Sequence, residues 1–243
     1  MTGEESSAHD LGRILRRLGR SISDGHGRTP LSDRLCRAAT DLLGCDGGAI
    51  TLAYTDAERL TLSSTDATAN EIEARQEVVQ QGPSADAYSA ADYRYAVVEP
   101  GGQRPLGWPL LDLTGVDDGH AVIVHAVPMT VAGTTLGVLT LWERGRTTGL
   151  DPLTARVVAG VIGAALVKQA QEEGGAVVNS WARRSSVHQG VGFVMAQLGV
   201  RAADALALIR AHAYVRGTSL AETARDIIEQ RLVLSDELEE GTT

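Results

Sequence analysis

The chain has 243 residues, a formal net charge of −9 and only two cysteines. That length admits one large domain or two modest ones, the acidic balance argues against a protein that coats nucleic acid through bulk charge, and two cysteines imply no disulfide framework. No apolar run of about 18 residues or more occurs, so no membrane contact is expected, and the polar opening MTGEESSAHD lacks the pattern of a secretory signal, so a cytoplasmic address is the expectation.

Taken in order, residues 1–28 predict a short leading helix from Leu11 to Ile22. Leu11, Ile14, Leu15 and Leu18 form its apolar stripe, and Arg13, Arg16, Arg17 and Arg20 lie on its exposed side. After the loop SDGHGRTP, Pro30 suits the first turn of a helix that runs to about Leu43 and stops at Gly44. From Gly47 the period becomes strand-like. Ala49–Tyr54 and Arg59–Ser63 alternate around a polar turn at Thr55–Ala57, the pattern of a hairpin.

A helix is expected from about Ala67 to Gln80, broken by Gly82-Pro83, with a short strand at Tyr95–Val98. The stretch from Glu99 to Gly119 reads as a long irregular loop, a candidate lid. Two strong strands follow, His120–Val127 and Thr135–Trp142, around a turn at Gly133, with Pro128 suited to a strand end. A helix from Pro152 to about Glu172 closes the segment. An antiparallel sheet with flanking helices over 29–172 is an α+β domain.

Chemistry is sparse in this half. No cluster of His, Cys and acidic residues has metal-ligand spacing, and no glycine-rich phosphate loop follows a strand, so no cofactor and no enzyme are expected. His120 and His125 fall on opposite faces of one expected strand and cannot converge on an ion. Cys36 lies within a helix and Cys45 just past its end. Nine residues of helix span about 13.5 Å, beyond the roughly 7 Å reach of a bridge, so inert thiols are expected. Tyr93, Tyr95, Trp108 and His125 mark a candidate ligand pocket between the sheet and its loops. Each also suits a place in the core or on its rim.

Leu153, Val157, Val161, Ala164 and Val167 to Gln171 form a near-heptad seam leading into 173–183, a dimeric helical stalk or an ordinary interdomain linker. There Gly174-Gly175 suggests a hinge, and Val177, Val178 and Trp181 resume an apolar stripe. Three short amphipathic helices follow over 184–234. Their stripes are Val187, Val191, Val194 and Leu198; then Ala202, Leu206, Ile209 and Ala213; then Leu220, Ala224, Ile227 and Ile228. Gly199 and Gly217 punctuate them, and Ser219 with Glu222 forms a capping box. Helices this short must pack into one bundle, with Met195 joining its core. An acidic tail, 235–243, ends the chain.

The polar faces of the bundle place Arg184 and His188 four apart beside Gln189 and the small Gly192, and Arg210 and Tyr214 four apart ahead of Arg216. An arginine beside an aromatic ring, near a small residue, suits unpaired RNA bases. From Ser180 to Leu234 seven arginines stand against four acidic residues, a local +3 (7 − 4). Binding there would depend on local geometry more than on a strong basic field.

Two resemblances sharpen this reading. Arg184-x-x-Val187-x-Gln189-Gly190-x-Gly192-Phe-Val-Met195, Gln197-Leu-Gly199-Val, Asp204-Ala205-Leu206, Ile209-Arg210-x-x-Ala213 and Leu220-x-x-x-Ala224 resemble the ANTAR family over about a fifth of the chain. That family is the RNA-binding output module of bacterial transcription antitermination regulators. Gly190 stands where the family usually has alanine, which weakens the helix by less than ~1 kcal/mol. Gln81-Gly82-Pro83-x-x-Asp86-Ala87, Trp108-Pro109 and the strand pair Pro128-Met…Gly133…Leu136-Gly137 resemble a GAF domain over roughly 29–172. The resemblances imply a GAF sensor of some small molecule ahead of an RNA-binding module. They further imply a homodimer acting on paired RNA hairpins, with Arg184, His188, Gln189, Gly192, Arg210, Tyr214 and Arg216 at the RNA surface.

Overall fold

The computed structural model describes residues 12–13, 16–20, 29–55, 58–100, 105, 107–113, 115–116, 119–145, 149–172 and 186–234. The expectations for Leu11, Ile14, Leu15, the linker 173–183, Arg184 and the tail 235–243 lie outside them. The chain divides into two compact units, one containing the sheet and one containing residues 186–234.

In the first unit, residues 16–20 are helical, with Leu18 fully buried and Arg16, Arg17 and Arg20 exposed. Helix α1 (Leu31–Leu43) starts after Pro30 and ends at Gly44, whose left-handed backbone (φ 72°) donates its N–H to Thr40 O. Strands β1 (Gly47–Thr55) and β2 (Glu58–Ser64) form the expected hairpin, with Ile50 opposite Ser63 and Leu52 opposite Leu60. Helix α2 (Ala67–Val79) is capped by Asp66, whose side chain accepts from Ala69 N at 2.8 Å.

The sequence expectation has Gly82-Pro83 only as a break. Pro83 in fact opens a further helix, α3 (Pro83–Ala90), because its fixed φ and missing N–H cost nothing at the first helical position. Strand β3 (Arg94–Val98), β4 (Val122–Val131), β5 (Thr134–Arg144) and helix α4 (Pro152–Glu172) complete the unit.

The five strands form one sheet in the order β2-β1-β5-β4-β3, with each described pairing antiparallel. Strand alternation then assigns two faces. Ala126 and Val138 pack against Ala87 of α3, and Thr140 bonds Ser84 of α3, so α2 and α3 cover that face. On the other, the Cys36 thiol of α1 donates to Gly48 O at 3.3 Å, and Gly163 of α4 lies over Met129 and Val131.

Pro128 is a correction: it sits inside β4, opposite Val138, and not at its end. Pairing with β3 stops at Ala126, so beyond that point β4 has an open edge where a residue without an N–H is tolerated. His120 likewise precedes β4 and is exposed.

Helix α4 has an 18-residue window of mean hydropathy 1.4, apolar enough for a membrane span by composition. Its buried side (Ala155, Val158, Ala159, Ile162, Leu166) packs on β4, β5 and α1, the behaviour of a core helix. Leu153 (74% exposed) and Val157 (38%) stay on its outer side with Val161 and Ala164.

The second unit holds α5 (Ser186–Leu198), α6 (Ala202–Arg216) and α7 (Leu220–Ile228). Gly199 and Gly217 take the left-handed conformation at the helix ends. Ser219 and Glu222 form the complete capping box: Ser219 accepts from Glu222 N, and Glu222 accepts from Ser219 N at 3.0 Å. Val191, Val194, Ala205, Leu206, Ile209, Ala213, Leu220 and Ile227 make the core. Two expectations fail there. Met195 is 38% exposed, because the buried stripe of α5 runs through Gly190, Val191 and Val194 and leaves it to one side. Ala202 is exposed because it begins α6 before the helix reaches its neighbours.

Candidate functional sites

On the bundle, α5 and α7 approach closely. A Cβ at Gly190 would stand 2.8 Å from Ala224 Cβ and 3.1 Å from its Cα, so glycine sets the spacing of these two helices. Gln189 and Gly192 are exposed on α5, and no atom lies within 4 Å of where a Gly192 Cβ would stand. His188 is half-buried. On α6, Arg210 is half-buried and Tyr214 is 48% exposed, one turn apart. Arg216 is held by Asp226 of α7 at 3.3 Å, an exposed pair that fixes direction more than it stabilises. Arg184 lies outside the described residues.

In the sheet unit, three of the four pocket candidates meet. Tyr93 Oη lies 2.7 Å from His125 Nδ1, and Tyr93 stacks on Tyr95 with ring centroids 6.1 Å apart. His125 Nε2 reaches Glu143 Oε1 at 3.0 Å. A carboxylate at Glu143 accepts, so Nε2 carries the proton and Nδ1 accepts from the Tyr93 hydroxyl. Burial holds His125 below the ordinary histidine range, and Glu143 opposes that shift. Burial pushes Tyr93 up to about 12, assisted by Tyr95, Glu143 and Cys45.

Trp108 does not join them. Its indole N–H donates to Asp86 Oδ2 at 3.0 Å over α3, on the far side of the sheet. The four residues therefore do not line one pocket: strand alternation turns His125 toward α1 and α4, while the loop carrying Trp108 is tied to α2 and α3. The described residues of that loop are tied down. Leu110 N donates to Gln81 Oε1 and Arg75 donates to Asp112 O, while Leu111, Leu113 and Val116 are buried.

The lowered His125 is expected to make the unit's stability depend on pH. A histidine held neutral binds fewer protons folded than unfolded, so stability falls as pH drops through the unfolded value near 6.5. Stability is expected to be flat near pH 8 and to decline below about pH 6.5, with His125→Gln flattening that slope. Urea denaturation at several pH values checks it, and equal slopes in both proteins would refute it.

A buried cluster that sequence reasoning did not single out fills the other face. Glu73 is 3% exposed. Its Oε2 accepts from Thr51 Oγ1 at 2.6 Å, and its Oε1 accepts from Gln76 Nε2 at 3.0 Å. The Ser84 and Thr140 hydroxyls lie 2.8 Å from the same Oε1 and 2.7 Å from each other. Gln76 Oε1 in turn accepts from Ser84 N. The residues come from α2, α3, β1 and β5, and only the fold unites them. Burial pushes the Cys36 and Cys45 thiols up to about 12, and the two are not joined in a disulfide. Among the described residues, no three His, Cys, Asp or Glu side chains are placed to hold a metal ion.

Residues 179–228 match the sequence model of the ANTAR domain. This segment is an ANTAR domain. Gln189, Gly192, Arg210 and Tyr214 lie within the matched residues. The sheet unit lies in the part of the chain that resembles GAF domains of solved structure. The GAF domain of NLH2 from A. aeolicus is 14% identical with a TM-score of 0.45, covering 67% of this chain and 98% of that one. The GAF domain of a phosphoenolpyruvate-protein phosphotransferase from Coxiella burnetii is 13% identical with a TM-score of 0.47, covering 69% and 98%. Free methionine-R-sulfoxide reductase from Neisseria meningitidis is 12% identical with a TM-score of 0.41, covering 67% and 93%. No curated protein matches the chain.

Proposed function

We propose that the chain is a GAF–ANTAR regulator whose ANTAR domain binds paired hairpins in a nascent transcript and prevents termination. The ANTAR match over 179–228 carries the reading, and the exposed Tyr214 ring one turn from Arg210 supports it. Arg184, His188, Gln189, Arg210, Tyr214 and Arg216 contact RNA, and Gly192 permits close approach. The protein binds one RNA conformer in preference to the terminator, a shift of populations that needs no catalysis.

Two hairpins call for two modules, and the outer row of α4, Leu153 to Ala164, supplies an apolar face for a second copy. The GAF-like unit is the regulatory part, through a small molecule or by holding the dimer. A second reading, a ligand-sensing or redox protein whose helical tail serves dimerisation or protein interaction, would need a reactive thiol, and burial raises both Cys36 and Cys45.

Fluorescence anisotropy with an RNA of two short hairpins, beside a single-hairpin control, tests this. Binding is expected to need both hairpins and to weaken with salt in proportion to the phosphates contacted. Arg210→Ala with Tyr214→Ala should weaken it by roughly 30-fold or more, since one base–aromatic stack is worth about 1–3 kcal/mol. Unchanged affinity in a double variant that retains its helical circular dichroism would refute the assigned surface.

A further inference from the structure

The ANTAR domain carries a groove between α5 and the end of α7, with a volume of about 390 Å³. That lies within the roughly 300–1,000 Å³ range of small-ligand sites. Phe193, Ile227, Leu232 and Val233 wall it, and Gln197 and Gln230 bring its polar groups. Phe193 is the only phenylalanine in the chain. It stays 37% exposed beside a core built entirely of aliphatic side chains.

The polar inventory of the lining is two carboxamides with no charged group. A carboxamide presents a donor and an acceptor side by side, the pairing that base edges also present. Gln197 is fixed on the rim by donating its Nε2–H to Leu234 O at 3.3 Å. Gln189, Phe193 and Gln197 follow one another at intervals of four, so they form one row along α5. The row runs from the exposed Gln189, assigned above to the RNA surface, into the groove. Beside it, Gly192 adds no side chain to this face of α5.

We propose that this groove takes one unpaired RNA base, stacked on Phe193 and held at its edge by Gln197 and Gln230. The inference rests on the RNA-binding reading above and adds to it a site that distinguishes a splayed base from a paired one. The continuous row and the uncharged amide rim favour a base over a protein helix, which would need no paired donor and acceptor.

The test uses the full chain and a pool of RNAs, each with two short hairpins whose loops are randomised, from which the wild-type protein selects binders. On a selected RNA, Phe193→Leu is expected to lose about tenfold or more in affinity, and Phe193→Trp to stay within roughly threefold, because a stack needs a ring and not merely apolar bulk. Ultraviolet crosslinks are expected on the peptide that contains Phe193. Equal affinity of Phe193→Leu and wild type overturns the base site while leaving the RNA-binding reading intact. Unchanged RNA affinity with an altered sedimentation coefficient would give the groove to a protein partner, and likewise overturns it. A wild-type protein that selects no RNA overturns both readings.

Discussion

Gly137→Ala is expected to destabilise the sheet-containing unit by about 3 kcal/mol or more, at or beyond the upper end of ordinary overpacking. Gly137 stands opposite Leu52 where β5 pairs with β1. A Cβ there would collide with Thr51 O and lie 2.8 Å from Leu52 Cα. Both obstacles are backbone, so no side-chain rotation relieves them. The two strands would have to part at a rung of the ladder that joins the hairpin to the rest of the sheet.

Alanine's lower backbone entropy in the unfolded chain returns at most about 1 kcal/mol. For a domain of this size, each kcal/mol moves the melting temperature by roughly 2–4 °C, so a fall of about 6–12 °C is expected in calorimetry. A fall of less than about 1 °C would show that β1 and β5 yield more readily than their geometry implies.

Why this glycine was legible as part of a motif, yet not as an obstacle, shows where sequence reading stops. Local signals translated directly. Gly44, Gly199 and Gly217 end helices because a left-handed residue satisfies the last carbonyls, and that chemistry is written in the neighbouring residues. The Ser219–Glu222 box and the apolar stripes of α5 and α7 are likewise short-range patterns. Signals that depend on which strand lies beside which did not translate.

Pro128 reads as a strand end until β3 is seen to stop at Ala126. His125 and Trp108 read as neighbours until strand alternation and the Asp86 bond send them to opposite sides of the sheet. Helix α3 has no signal in the sequence because PSADAYSA lacks an apolar period, and its stability comes from packing Ala87 on Ala126 and Val138. Met195 lies one step around α5 from the buried stripe, a distance that periodicity alone does not resolve.

The second large effect falls on Glu73, which no local pattern marks. Glu73→Ala is expected to cost roughly 3–5 kcal/mol. The carboxylate is the shared acceptor for Thr51, Gln76 and at least one of the Ser84 and Thr140 hydroxyls, all nearly fully buried. A buried donor deprived of its acceptor costs about 1–3 kcal/mol, and the lost side chain adds a cavity.

Glu73→Gln should cost much less. Its remaining oxygen accepts from Gln76, Ser84 or Thr140 as before, and its new N–H faces Thr51 Oγ1. That hydroxyl can accept from the amide and turn its own proton toward Thr61, 3.1 Å away. Chemical denaturation of the two variants separates the causes. A large loss in alanine with a small one in glutamine identifies the shared acceptor as the stabilising element. Equal losses would mean that the negative charge itself, and not the shared acceptor position, stabilises the cluster.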